Sequence, residues 1–124
     1  MAKTIFFVDD DKMIINLLEY TFNKNEYNIR SFKTGEDCIA AIANEIPDLV
    51  VLDHIYDNSK SVLSGLDTLK EIKSINDSIS VVILTSQEDK NLIPIFLNAG
   101  ASKYINKDAF FIDSLSETFQ TLLQ

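Results

Sequence analysis

Three carboxylates in succession, Asp9, Asp10 and Asp11, follow directly on the apolar run IFFV. Adjacent like charges repel, and each resists dehydration unless a positive charge stands near. Other short strand-like runs end on complementary chemistry: DLVVL on Asp53, SVVIL on Thr85 and Ser86, and SKYIN on Lys107. Clustered carboxylates with no His or Cys beside them suit a hard, oxygen-seeking cation. Mg2+ fits best, because it binds through one or two carboxylates, keeps several waters and shares phosphate oxygens. An acid at a strand end, with a metal on one side and a lysine on the other, could accept a phosphoryl group, a transfer that needs mainly positioning and charge neutralisation. Mg2+ and Lys107 would then neutralise the phosphoryl oxygens, and the Thr85 hydroxyl would hydrogen-bond one of them. Asp11 reads differently, as the cap of a following helix.

These groups can meet only if the strand ends share one crevice. TIFFV (4–8), DLVVLD (48–53) and SVVILT (80–85) are short, continuous and rich in β-branched or aromatic residues, the mark of strands covered on both faces. YNIRSF (27–32) alternates and should lie nearer an edge, and SKYIN (102–106) is a short fifth strand. Helical stripes fall between them: Ile14, Leu17, Leu18, Thr21 and Phe22, then Ile39, Ile42, Ala43 and Ile46 before Pro47, then Leu66, Leu69 and Ile72. A fourth helix over 89–98 tolerates Pro94 only in its first turn and ends at Ala99-Gly100. A fifth runs over 110–123, with Phe110, Phe111 and Phe119 expected in the core. Strict β-α alternation, repeated five times, implies right-handed crossovers, a parallel sheet and helices on both faces. Ligands of such sheets bind beyond the carboxyl ends of the strands.

The composition agrees. At 124 residues the chain reads as one domain, 1–124, able to bury a core without disulfides, and nothing in it reads as an output domain. A net charge of −8 argues against direct nucleic-acid binding, which needs a basic face. Cys38, the single cysteine, reads as a small buried hydrophobe on a helix, and no disulfide framework is possible. No apolar run approaches the ~20 residues of a membrane helix, and no signal-peptide core is present, so a cytoplasmic location is expected.

Five pieces in order, VDDD (8–11), PDLVVLD (47–53), SGLDTLKEI (64–72), VVILTS (81–86) and NAGASKYINK (98–107), give the resemblance to a known family. The sequence resembles the receiver domain of bacterial two-component response regulators over essentially its whole length. The resemblance implies a flavodoxin-like (βα)5 fold with strand order 2-1-3-4-5. It makes Asp53 the phosphoaccepting aspartate and Asp9 and Asp10 the acidic pair holding Mg2+, joined by Asp53 and the backbone carbonyl of Ile55. Thr85 is similar to the hydroxyl that moves toward the phosphoryl group, Lys107 to the lysine that pairs with it, and Tyr104 to the aromatic that turns inward with that movement. Implied partners are a sensor histidine kinase or phosphotransfer protein and a downstream protein or linked output domain. A homodimer on phosphorylation is also implied. Enzymatic activity would be limited to the domain's own phosphoryl transfer and hydrolysis.

Two stretches depart from the family pattern. The run from His54 to Ser64 is about four residues longer than usual, lacks proline and adds Asp57, and it reads as a solvated loop. Asp108 stands where proline is common, and a cis bond there would cost ~3 kcal/mol, so Lys107-Asp108 should be trans. The alternative to a working receiver is a receiver-like docking module that is never phosphorylated. A haloacid-dehalogenase-type phosphatase would need an acid two residues after Asp53, where Ile55 stands, and a flavodoxin-like cofactor binder would find phosphate repelled by VDDDK.

Overall fold

In the computed structural model, which describes residues 3–22, 27–53, 65–85 and 91–123, strand and helix alternate five times. The strands are β1 (Lys3–Val8), β2 (Tyr27–Phe32), β3 (Leu49–Asp53), β4 (Ser80–Thr85) and β5 (Lys103–Asn106). The helices are α1 (Lys12–Phe22), α2 (Gly35–Ile42), α3 (Gly65–Ile75), α4 (Leu92–Asn98) and α5 (Phe111–Leu122). All strand pairs are parallel, in the order β2-β1-β3-β4-β5. The fold class and strand order are those expected, with the alternating strand β2 at one edge.

Side chains of a strand point alternately to its two faces, and both faces of this sheet are apolar. Phe6, Val8, Val50, Leu52, Val81 and Ile83 face one cluster, closed by Cys38 and Ile42 of α2, Leu69 and Ile72 of α3, and Phe96 of α4. Ile5, Phe7, Leu49, Val51, Val82 and Leu84 face the other, closed by Leu18 and Phe22 of α1 and Leu115 and Phe119 of α5. Continuous apolar strands are therefore a direct consequence of helices on both sides.

Local chemistry fixes the helix ends. Asp11 Oδ1 accepts the Met13 amide at 2.9 Å, so Asp11 caps α1 as expected. Thr34 Oγ1 likewise accepts the Asp37 amide at 3.1 Å at the start of α2. Pro94 is the third residue of α4, inside its first turn, where its missing N–H has no intrahelical partner to lose. That helix closes on Gly100, whose φ of 116° suits glycine, with Gly100 N–H donating to Leu97 O at 3.1 Å and Ala101 N–H to Phe96 O at 3.0 Å.

Four residues expected inside lie elsewhere. Leu17 is 41% exposed, because the inward seam of α1 runs through Ile14, Ile15, Leu18 and Phe22. Helix α2 stops at Ile42, and its C-cap Ala43 is exposed. Ile46 beyond it is 53% exposed, since the residue before a proline resists helical geometry. Phe110 precedes the first turn of α5 and is 70% exposed, whereas Phe111 packs against the second cluster and Phe119 is fully buried. Among the described residues, no helix is long and apolar enough to cross a membrane.

Candidate functional site

The carboxyl ends of β1, β3 and β5 deliver four charged side chains to one place. Asp9 follows Val8 at the end of β1, held by its amide donating to Phe32 O at 3.0 Å, and it is only 3% exposed. Its Oδ1 accepts the Asp11 amide at 2.9 Å, which turns the chain from strand into α1 and leaves Oδ2 facing the crevice. Asp53 ends β3, beside β1 in the sheet. Lys107 follows β5, with its amide donating to Thr85 O at 2.8 Å. From there Lys107 Nζ reaches Asp9 Oδ2 at 2.9 Å and Asp53 Oδ1 at 3.1 Å. Asp10 is exposed, and oxygens of Asp9, Asp10 and Asp53 all lie within 4.8 Å of one another.

Among the described residues, three carboxylates face one ammonium, an excess of negative charge. Burial and then the charge of Asp9 push the Asp53 carboxyl up to about 7, against the opposing pull of Lys107. Lys107 shows the converse balance. Burial disfavours its ammonium, but hydrogen bonds and charges from Asp9 and Asp53 outweigh it and hold the group above its ordinary range. The lysine is thus a fixed cation, outnumbered by carboxylates among the described residues of the site.

A divalent cation would supply the balancing charge. Among the described residues the clustered donors are carboxylate oxygens, which suit Mg2+ over softer metals. The donor set and its unbalanced charge fit the ion.

The remaining sequence candidates divide. Thr85 is buried at the end of β4, one residue beyond Leu84, the β4 partner of Asp53. Tyr104 lies on β5, with its ring 5.8 Å from that of Phe96 and packed against the α2–α4 cluster. Ile55, Ser86 and the long run from His54 to Ser64, Asp57 included, lie outside the described residues. The Lys107-Asp108 bond is trans, and Asp108 Oδ1 accepts the Phe110 amide at 2.8 Å, shaping the approach to α5. Sequence reasoning passed over Asn106, the polar neighbour of Thr85 in the ladder. Its only signal was a carboxamide where a strand end would otherwise be apolar.

Residues 5–118 match the family model of the response regulator receiver domain. Over 124 residues, all of this chain and 52% of its relative, the sequence is 29% identical to the response regulator MprA of Mycobacterium sp. (strain KMS). The chain therefore spans about half the length of the curated relatives it matches. The receiver domain of NtrX from Brucella abortus is similar in structure, with a TM-score of 0.86 and 28% identity over 96% of this chain and 97% of that one. The BeF3-activated receiver domain of DrrB aligns over 100% of both chains, with a TM-score of 0.84 and 27% identity. With the family model running from β1 into α5 and whole receiver domains sharing the fold end to end, the chain belongs to the receiver domains of bacterial two-component response regulators.

Proposed function

We propose that Asp53 accepts a phosphoryl group from a sensor histidine kinase or phosphotransfer protein, and that the modified domain presents a changed surface to a downstream partner. The observation behind this reading is Lys107 Nζ bridging Asp9 and Asp53 within a carboxylate cluster no wider than 4.8 Å. Asp9, Asp10 and Asp53 would hold Mg2+, with the Ile55 carbonyl as a further ligand. When bound, the ion supplies positive charge to phosphoryl oxygens in transfer.

In the transfer, a carboxylate oxygen of Asp53 forms a bond to phosphorus. The bond from phosphorus to the donor's imidazole nitrogen breaks, and its electron pair stays on that nitrogen. Lys107, held protonated by its two acids, neutralises a phosphoryl oxygen without giving up its proton. The Thr85 hydroxyl donates a hydrogen bond to another. Movement of Thr85 toward the phosphoryl group, with Tyr104 turning inward, couples this local charge to the surface. The shift in population is no larger than the difference in contact free energy between the two arrangements. The domain's own chemistry is limited to accepting and hydrolysing this phosphoryl group. Its output passes to a protein partner or a linked output domain, with a homodimer as one form the signal can take. The net charge of −8 argues against direct nucleic-acid contact.

The test is intact mass after incubation with Mg2+ and a small-molecule phosphodonor, beside Asp53→Asn and an EDTA control. One added phosphoryl group, absent in both controls, is expected. A folded protein that gains no phosphoryl group and takes up no beryllofluoride would overturn this reading in favour of a docking module independent of phosphorylation.

A further inference from the structure

We propose that Asn106 is a positioning residue for Thr85, a second acceptor for its hydroxyl that opposes the switched arrangement; this rests on the phosphoacceptor reading of Asp53. Thr85 stands between two strands of different chemistry. Asp53 pairs with Leu84, the residue before it, and Asn106 pairs with Thr85 itself. Strand alternation places the two on one face. Ile83 and Tyr104, paired across the ladder, both meet the α2–α4 cluster, and Thr85 and Asn106 follow each by two residues.

Asn106 Oδ1 is buried and accepts no hydrogen bond among the described residues. A buried carbonyl oxygen without a donor destabilises whatever arrangement leaves it so. The neighbouring hydroxyl has a single proton and a small set of staggered positions about χ1. It can donate toward the phosphoryl site on Asp53 or toward Asn106, and never to both at once. In the arrangement seen here the Tyr104 ring packs against Phe96, with ring centres 5.8 Å apart, and Asn106 Oδ1 is left without a donor. Turning Thr85 toward Asn106 satisfies that oxygen and withdraws the hydroxyl from the phosphoryl site. The carboxamide thus weights the arrangement in which the hydroxyl is turned away from the phosphoryl site, and an apolar side chain there removes the weight.

The experiment is a beryllofluoride titration of the whole chain with Mg2+, followed by amide NMR, comparing wild type, Asn106→Val and Asn106→Leu. Mg2+ is also titrated alone. The expected result is a beryllofluoride midpoint about tenfold lower in the apolar variants, the scale of one buried hydrogen bond, with an unchanged Mg2+ midpoint. In a Thr85→Ala background the Asn106→Val shift should vanish, because the two side chains act through one hydrogen bond. An unchanged or higher beryllofluoride midpoint, or a shift that persists without the Thr85 hydroxyl, overturns the role of Asn106 and leaves the receiver reading standing. Wild-type protein that binds Mg2+ yet never takes up beryllofluoride overturns both. Two apolar variants are used so that a folding defect in one does not decide the matter.

Discussion

At the residue scale, Asp53 is an acid kept where its charge is least welcome. Its side chain is 10% exposed, and burial and Asp9 push its carboxyl up to about 7, well above the ordinary carboxylate value of 3.8. The folded protein therefore holds a proton there that the unfolded chain has released. Stability from this group is fully present below pH 3.8 and is lost as pH rises toward 7, by up to ~1.4 kcal/mol per pH unit. Asp53→Asn removes the titration and the repulsion with Asp9. Thermal melts in EDTA should show the variant gaining on wild type from pH 5 to pH 8, by several degrees at the upper end. A constant difference across that range would show that the carboxylate is not strained. The acids, Thr85 and Lys107 stand out in the sequence because each ends or closely follows a strand-like run. The joint hold of Lys107 on Asp9 and Asp53 does not, since it depends on how a four-carbon side chain crosses the sheet end.

At the element scale, the helices were legible by period and their ends only by caps. Asp11 and Thr34 announce their helices through short polar side chains that bond backbone amides two or three residues on. The end of α2 was misplaced because its apolar spacing continues past Ile42, although the chain turns there: the amides of Asn44 and Glu45 both donate to Ala41 O at 3.0 Å. Spacing reports which residues could share a face, and the geometry needed to reach β3 decides which do. The same limit hid the contact that seats α2 on α3. A Cβ on Gly35 would collide with the Thr68 Oγ1, and Thr68 is itself 1% exposed. Gly35→Ala should lower stability by roughly 1–3 kcal/mol in urea unfolding, despite alanine's better helix propensity. In a Thr68→Ala background most of that loss should disappear. An equal loss in both backgrounds would place the cost in the backbone rather than in the helix contact.

At the scale of the whole molecule, strand order converts distant sequence positions into one site. β1 lies between β2 and β3, so Asp9 and Asp53 end adjacent strands although 44 residues separate them in the chain. The order follows from right-handed crossovers placing helices on both faces, which the unbroken apolar strands already required. An acidic site on a chain of net charge −8 raises a question of its own, because any added salt relieves diffuse repulsion. A bound ion and a screening atmosphere differ in whether one ligand residue controls the response. Mg2+ at about ten times its dissociation constant should stabilise by ~1.4 kcal/mol, a shift of about 4–7 °C, and add only logarithmically above it. KCl at matched ionic strength should give a smaller rise. Asp9→Asn should abolish the Mg2+ increment and leave the KCl response intact, because it removes one ligand but only one charge of the many that screening averages. If Mg2+ and matched KCl shifted the melting temperature equally in wild type, the carboxylate cluster would be a screened surface and Asp53 would lack the cation its chemistry needs.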